Sequence, residues 1–240
     1  MIKRSTLALA FTALMAAHVG SVQATPITVE ASLKSAPYGT EAFNFNVNGQ
    51  SSSNGAGMLS FDIAKVIGAG PLQLGSSFLS FCVEFSQSIS YNAKVNFTLL
   101  SAGNVFGTAK ADAITRLFTG FGSQVNSSST SAAFQLALWE LIDDFDSSNW
   151  NSLQLTSGKF RVTSNNMTTG LAQSWLGQLS GITSKHQMYV LTNDLAQNQL
   201  IFAGTPLPQP APNPAKVSTP ATLGMFGFAL VLLGLRRRQG

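Results

Sequence analysis

The chain contains one cysteine, Cys82. A thiolate is a strong nucleophile and a soft metal ligand, so a lone cysteine has several possible chemistries. It excludes an intramolecular disulfide and a cysteine-built zinc site. Pairing between chains, a free thiol or another covalent reaction remain. Its setting, Ser80-Phe81-Cys82-Val83-Glu84-Phe85, is an apolar strand pattern, in which a buried cysteine can act simply as a small hydrophobe. A cysteine hydrolase needs a histidine beside the thiol, and past the first 24 residues His186 is the one histidine. His186 stands at a predicted strand start, where a surface ring is the default. Asp143, Asp144 and Asp146 form an acidic cluster whose spacing does not match an EF-hand loop; it reads as a solvated turn. Trp150, in Ser148-Asn149-Trp150-Asn151, is a candidate stacking platform for a sugar. No cofactor motif and no metal-ligand set is read from the sequence.

A second chemically suggestive run is Ser131-Ala132-Ala133-Phe134-Gln135-Leu136-Ala137-Leu138-Trp139-Glu140. Its periodicity predicts a helix capped by Thr130 or Ser131 and running to about Ile142, with Phe134, Leu138 and Leu141 inward and Gln135 beside that face. Two further helices are predicted, at Lys110 to Phe118 and Thr168 to Leu179. Alternation predicts strands near 27–33, 43–47, 57–67, 78–85, 94–100, 159–163, 187–191 and 198–202. Clusters such as Asn48 to Gly57 read as separators. Strands, then helices, then strands predict an α+β fold: a β-sandwich or barrel over 25–204 with a helical insertion near 109–179.

Composition narrows the function. The 240 residues are 45% hydrophobic and 10% charged, which excludes a disordered chain and a coiled coil. The formal charge is +4, but Lys3, Arg4, Arg236, Arg237 and Arg238 supply five of the 14 basic residues. Residues 25–235 hold nine basic and ten acidic groups, so the body carries no basic stripe for a nucleic acid. Lys3 and Arg4, the apolar run Leu7 to Ala17, and small residues Val22 and Ala24 before Thr25-Pro26 read as a signal peptide over 1–24. Signal peptidase is therefore an expected partner. At the other end, prolines 206, 208, 210, 212 and 214 make 205–216 an extended spacer. Ala221 to Leu235 is uncharged and is followed by the three arginines. As a helix it spans about 22 Å, marginal for a membrane, and the arginines suit its cytoplasmic end.

The tail over 217–240 resembles the PEP-CTERM sorting signal of exported proteins of Gram-negative bacteria. Val217-Ser218-Thr219-Pro220, the Ala-Thr-Leu-Gly that follows, the apolar helix and the arginine cluster carry the likeness. The family's Pro-Glu-Pro is here Ser218-Thr219-Pro220. The resemblance implies a transmembrane helix in the cytoplasmic membrane, at least transient, and processing by an exosortase. It implies display on the cell surface or in an extracellular polysaccharide matrix.

Phe81-Cys82-Val83-Glu84, with Gln135-Leu136-Ala137-Leu138-Trp139 53 residues later, resembles the bacterial thioester domain of surface adhesins. Glu84 stands where that family commonly has Asp. The resemblance implies that Cys82 is joined to Gln135. A thiolate held against a carboxamide can displace ammonia and leave an acyl thioester, orientation supplying much of the rate. An incoming amine then attacks the Gln135 acyl carbon, an amide forms and the thiol is released. Because water competes, the bond belongs in an apolar crevice, with Phe81, Phe134, Leu138 and Trp139 as walls. One turnover per molecule is expected, so the protein would not be an enzyme. The alternative is a structural or exopolysaccharide-associated matrix protein in which Cys82 is a plain buried thiol.

Overall fold

A computed structural model describes residues 26–68, 72, 74–164 and 166–203. The predicted signal peptide, proline-rich spacer and sorting tail, including Val217 to Pro220 and the three arginines, lie outside the described residues. Among the described residues no helix is long and apolar enough to cross a membrane.

The described residues form nine strands and four α-helices in an α+β arrangement. The strands are β1 (Thr28–Ser35), β2 (Glu41–Val47), β3 (Gln50–Ala56), β4 (Leu59–Ile67), β5 (Ser77–Cys82), β6 (Lys94–Ser101), β7 (Phe160–Val162), β8 (Gln187–Thr192) and β9 (Gln199–Ala203). The helices are α1 (Ala102–Phe106), α2 (Thr108–Phe121), α3 (Ser128–Asp144) and α4 (Met167–Leu176). Six strands close an antiparallel barrel in the order β1-β4-β5-β9-β8-β6, and β3-β2-β7 form a small separate sheet. The barrel, rather than a sandwich, is the realised alternative. Closure removes sheet edges.

The barrel interior is filled by alternate residues of its strands. Phe61 of β4, Phe78 of β5 and Phe97 of β6 meet there, the first pair stacked at 5.0 Å and the second edge-on at 6.2 Å. The other face of β5 and β9 is covered by helices. Phe81 stacks on Phe134 of α3 at 4.5 Å, and Phe202 of β9 stacks on Phe118 of α2. Strands covered on both faces bury successive residues, as Met188 to Leu191 do in β8.

The sequence placed most elements and missed others for physical reasons. Gln50–Ala56 is a strand, not a separator. Its exposed polar residues gave no alternation, but the Asn48-Gly49 turn, with φ of 51° and 87°, closes a tight hairpin that zips β3 to β2. α3 starts earlier than predicted, because Ser127 and Thr130 form a reciprocal capping box. Residues Ser131 to Leu141 of α3 are all buried, so it is a central helix between barrel and small sheet. Trp150 is not a fully exposed platform: Phe145 packs edge-on at 5.0 Å and the Arg116 guanidinium lies 5.2 Å from its centroid. Asp144 is no solvated turn residue either. Its two carboxylate oxygens accept from the backbone N–H groups of Lys159 and Phe160, both at 2.8 Å, and so fix the approach to β7.

Candidate functional site

Cys82 is the last residue of β5, and β4 pairs with β5 only as far as Leu59↔Ser80. Beyond that register α3 takes over the exposed edge. The backbone N–H and C=O of one strand residue point to the same side, so a carboxamide can satisfy both. Gln135 does so: its Oε1 accepts from the Cys82 N–H at 3.0 Å, and its Nε2 donates to the Cys82 C=O at 2.8 Å. Ser131, one helical turn earlier on the same face, accepts from the Met58 N–H at 2.6 Å where β4 begins. Gln135 and Ser131 are fully buried. The 53-residue separation thus closes into direct contact between the two predicted residues.

The Gln135 carboxamide therefore lies beside the residue that bears the thiol. Its carbonyl oxygen already rests on a fixed N–H donor. A tetrahedral intermediate at that carbonyl carbon would place its negative oxygen on the Cys82 N–H, an arrangement that is preorganised and shielded from water. The sequence could not name this donor, because backbone groups carry no sequence signature.

The thiol itself points into the end of the barrel. Cys82 pairs in register with Gln199 of β9. Its Sγ donates to Gln197 Oε1 at 2.9 Å, and Gln199 Nε2 lies 3.9 Å from the sulfur. Gln199 Oε1 accepts from Ser80 Oγ at 2.9 Å, while Gln197 Nε2 donates to the Glu84 C=O at 2.9 Å. Burial pushes the Cys82 thiol up to about 12; the Gln199 hydrogen bond opposes this and the Glu84 charge adds to it. At neutral pH the resting sulfur is a protonated thiol.

Phe81 and Phe134 stack behind the strand. Because neighbouring strand residues face opposite ways, they back the site and do not cover the sulfur. Trp139 packs on Phe85 at 4.6 Å and on Phe45 at 5.8 Å, walling the segment that follows Cys82. Leu138 is fully buried. Ser80, Gln197 and Gln199 were not anticipated. Ser80 and Gln199 carried a signal as polar residues on the inward face of otherwise apolar strands, Gln199 pairing directly with Cys82, whereas Gln197 lies in the segment before β9.

His186 is not a partner of the thiol. It packs edge-on against Phe118 at 4.9 Å and lines a cleft of about 490 Å³ with Asp112, Ser184 and Tyr189, to which Cys82 does not contribute. Asp112 accepts there from Ser184 at 2.6 Å and from Arg116 at 2.7 Å; despite some burial, these two partners hold its carboxyl below the ordinary value. Among the described residues no group of three or more His, Cys, Asp or Glu side chains could hold a metal ion. No protein-family model, curated protein or solved structure matches the chain.

Proposed function

We propose that this is an exported surface or matrix protein whose body carries an internal Cys82–Gln135 thioester for covalent attachment to amine-bearing targets. The observation that carries this reading is the double hydrogen bond that fixes the Gln135 carboxamide on Cys82. Both groups of the bond would be buried, the acyl oxygen would face a backbone donor, and aromatic rings would exclude water from one side. Sulfur adds to the carbonyl carbon and ammonia departs. Later an amine adds to the same carbon, and the thiol leaves with a proton. The protein is consumed once and does not turn over, so it is not an enzyme. Adhesion or biofilm cohesion is the corresponding role.

The two ends support the same setting. The signal peptide would bring the body across the cytoplasmic membrane, and the tail would hold it there for an exosortase. The target is then an amine on a neighbouring surface or within an exopolysaccharide matrix.

One observation favours a second reading. The same two hydrogen bonds satisfy the backbone of β5 where β4 stops pairing, so Gln135 also serves as an edge clasp. In that case the chain is a structural or exopolysaccharide-associated protein and Cys82 is a plain buried thiol. Labelled methylamine separates the two. Under the thioester reading it enters at residue 135 and frees one titratable thiol; no incorporation into freshly isolated protein leaves the structural reading standing.

A further inference from the structure

Cys82 has neighbours on two sides of β5. Gln135 reaches Cys82 from the edge that β4 leaves open, whereas Gln197 and Gln199 belong to the β9 side. Gln197 comes from the segment joining β8 to β9. It is anchored by its own N–H on the Ser88 C=O at 3.2 Å and by its Nε2 on the Glu84 C=O. Its oxygen is thereby turned toward the sulfur. Gln199 Nε2 donates to the Gln197 C=O at 3.1 Å, which braces that segment from beneath. Gln197 is 5% exposed and Gln199 fully buried, so neither competes with bulk water. Gln199 Nε2, 3.9 Å from the sulfur, approaches one of its two lone pairs on the β9 side, which leaves the other for the side of Gln135.

We infer that Gln197 is the positioning residue of the Cys82 thiol: its carboxamide oxygen holds the S–H proton on the β9 side, so that a sulfur lone pair faces the Gln135 carbonyl carbon. This rests on the thioester reading. In the step it serves, the bond from Sγ to Gln135 Cδ forms and the bond from Cδ to Nε2 breaks. The thiol proton ends on the departing nitrogen, so thiol and carboxamide give thioester and ammonia with no net change in protons. Of the two reacting groups, Gln197 bonds to the thiol alone. It raises the rate by restricting the sulfur to one rotamer, as orientation does in general. Glu84 is the charged neighbour of the thiol, and Gln197 holds the Glu84 backbone; its replacement can therefore also move that charge.

The test compares the full chain with Gln197→Met, which keeps the length and removes the acceptor, and with Gln197→Glu, which restores an oxygen. Each protein is refolded from denaturant and its ammonia loss is followed by intact mass. Gln197→Met is expected to lose ammonia about tenfold more slowly, and Gln197→Glu to recover most of the rate. A second arm treats each protein with methylamine, which leaves a free thiol whether or not the bond had formed. Iodoacetamide alkylation is then measured from pH 7 to pH 10. Removal of the acceptor that stabilises the neutral thiol should raise the alkylation rate several-fold at a given pH. Equal ammonia loss and equal alkylation profiles in wild type and Gln197→Met would overturn the inference. If the wild type itself never loses ammonia, the thioester reading fails, and the alkylation arm alone judges whether Gln197 holds the proton.

Discussion

Three buried carboxamides, Gln135, Gln197 and Gln199, surround Cys82, and each makes a different contact. Gln135 holds the backbone, Gln197 accepts the S–H and Gln199 offers an N–H. A buried polar side chain is costly unless paired, so such a cluster persists only where its hydrogen bonds are made. Glu140, in the same helix as Gln135, meets that requirement incompletely. Its Oε1 accepts from the Gln154 N–H at 2.7 Å, but its Oε2 is buried without a partner. Burial, then the charges of Asp144 and Asp143, push its carboxyl from 4.5 up to about 8. Between those values the folded protein binds a proton that the unfolded chain does not. Stability from this group is therefore full below the unfolded value and is lost as pH rises through about 8. The unfolding midpoint should fall from pH 5 to pH 9, and Glu140→Gln should flatten that slope. A wild-type profile no steeper than that of the variant would contradict the assignment.

At the scale of elements, α3 is the part that makes the site. It lies between barrel and small sheet and presents Ser131 and Gln135 to the start of β4 and the end of β5. The approach to β4 is tight. A Cβ on Gly57 would stand 2.8 Å from the Gly39 carbonyl oxygen, which is backbone and cannot swing away. Gly57→Ala should cost about 1–3 kcal/mol of stability by overpacking. A thermal or denaturant midpoint equal to wild type would show that the turn accommodates the methyl. Helix and strand positions near Cys82 and Gln135 were legible because their apolar periods are strong. The pairing of Cys82 with Gln135 came from the resemblance of their two motifs to the thioester domain; by themselves those apolar runs read as ordinary core. What the sequence hid was set by tertiary pairing. β3 is exposed up to Ala56 and almost wholly without apolar side chains, and exists because its hairpin zips it to β2. Gln197 is meaningful only because the loop before β9 folds back to Ser88 and Glu84.

For the whole molecule, the closed barrel and its covering helices bring residues 53 positions apart into one shielded corner. The positive charge of the chain belongs largely to the segments read as targeting ends, and the near-neutral body between them suits attachment that does not depend on ionic contacts. Under the thioester reading Cys82 and Gln135 become one covalent unit. The intact mass of freshly isolated protein measures this directly, with Cys82→Ala and Gln135→Ala as references. The thioester reading predicts a wild-type mass lower by one ammonia than its mature sequence requires, a deficit absent from both variants. A wild-type mass with no deficit, together with a freely titratable Cys82 thiol, would contradict it.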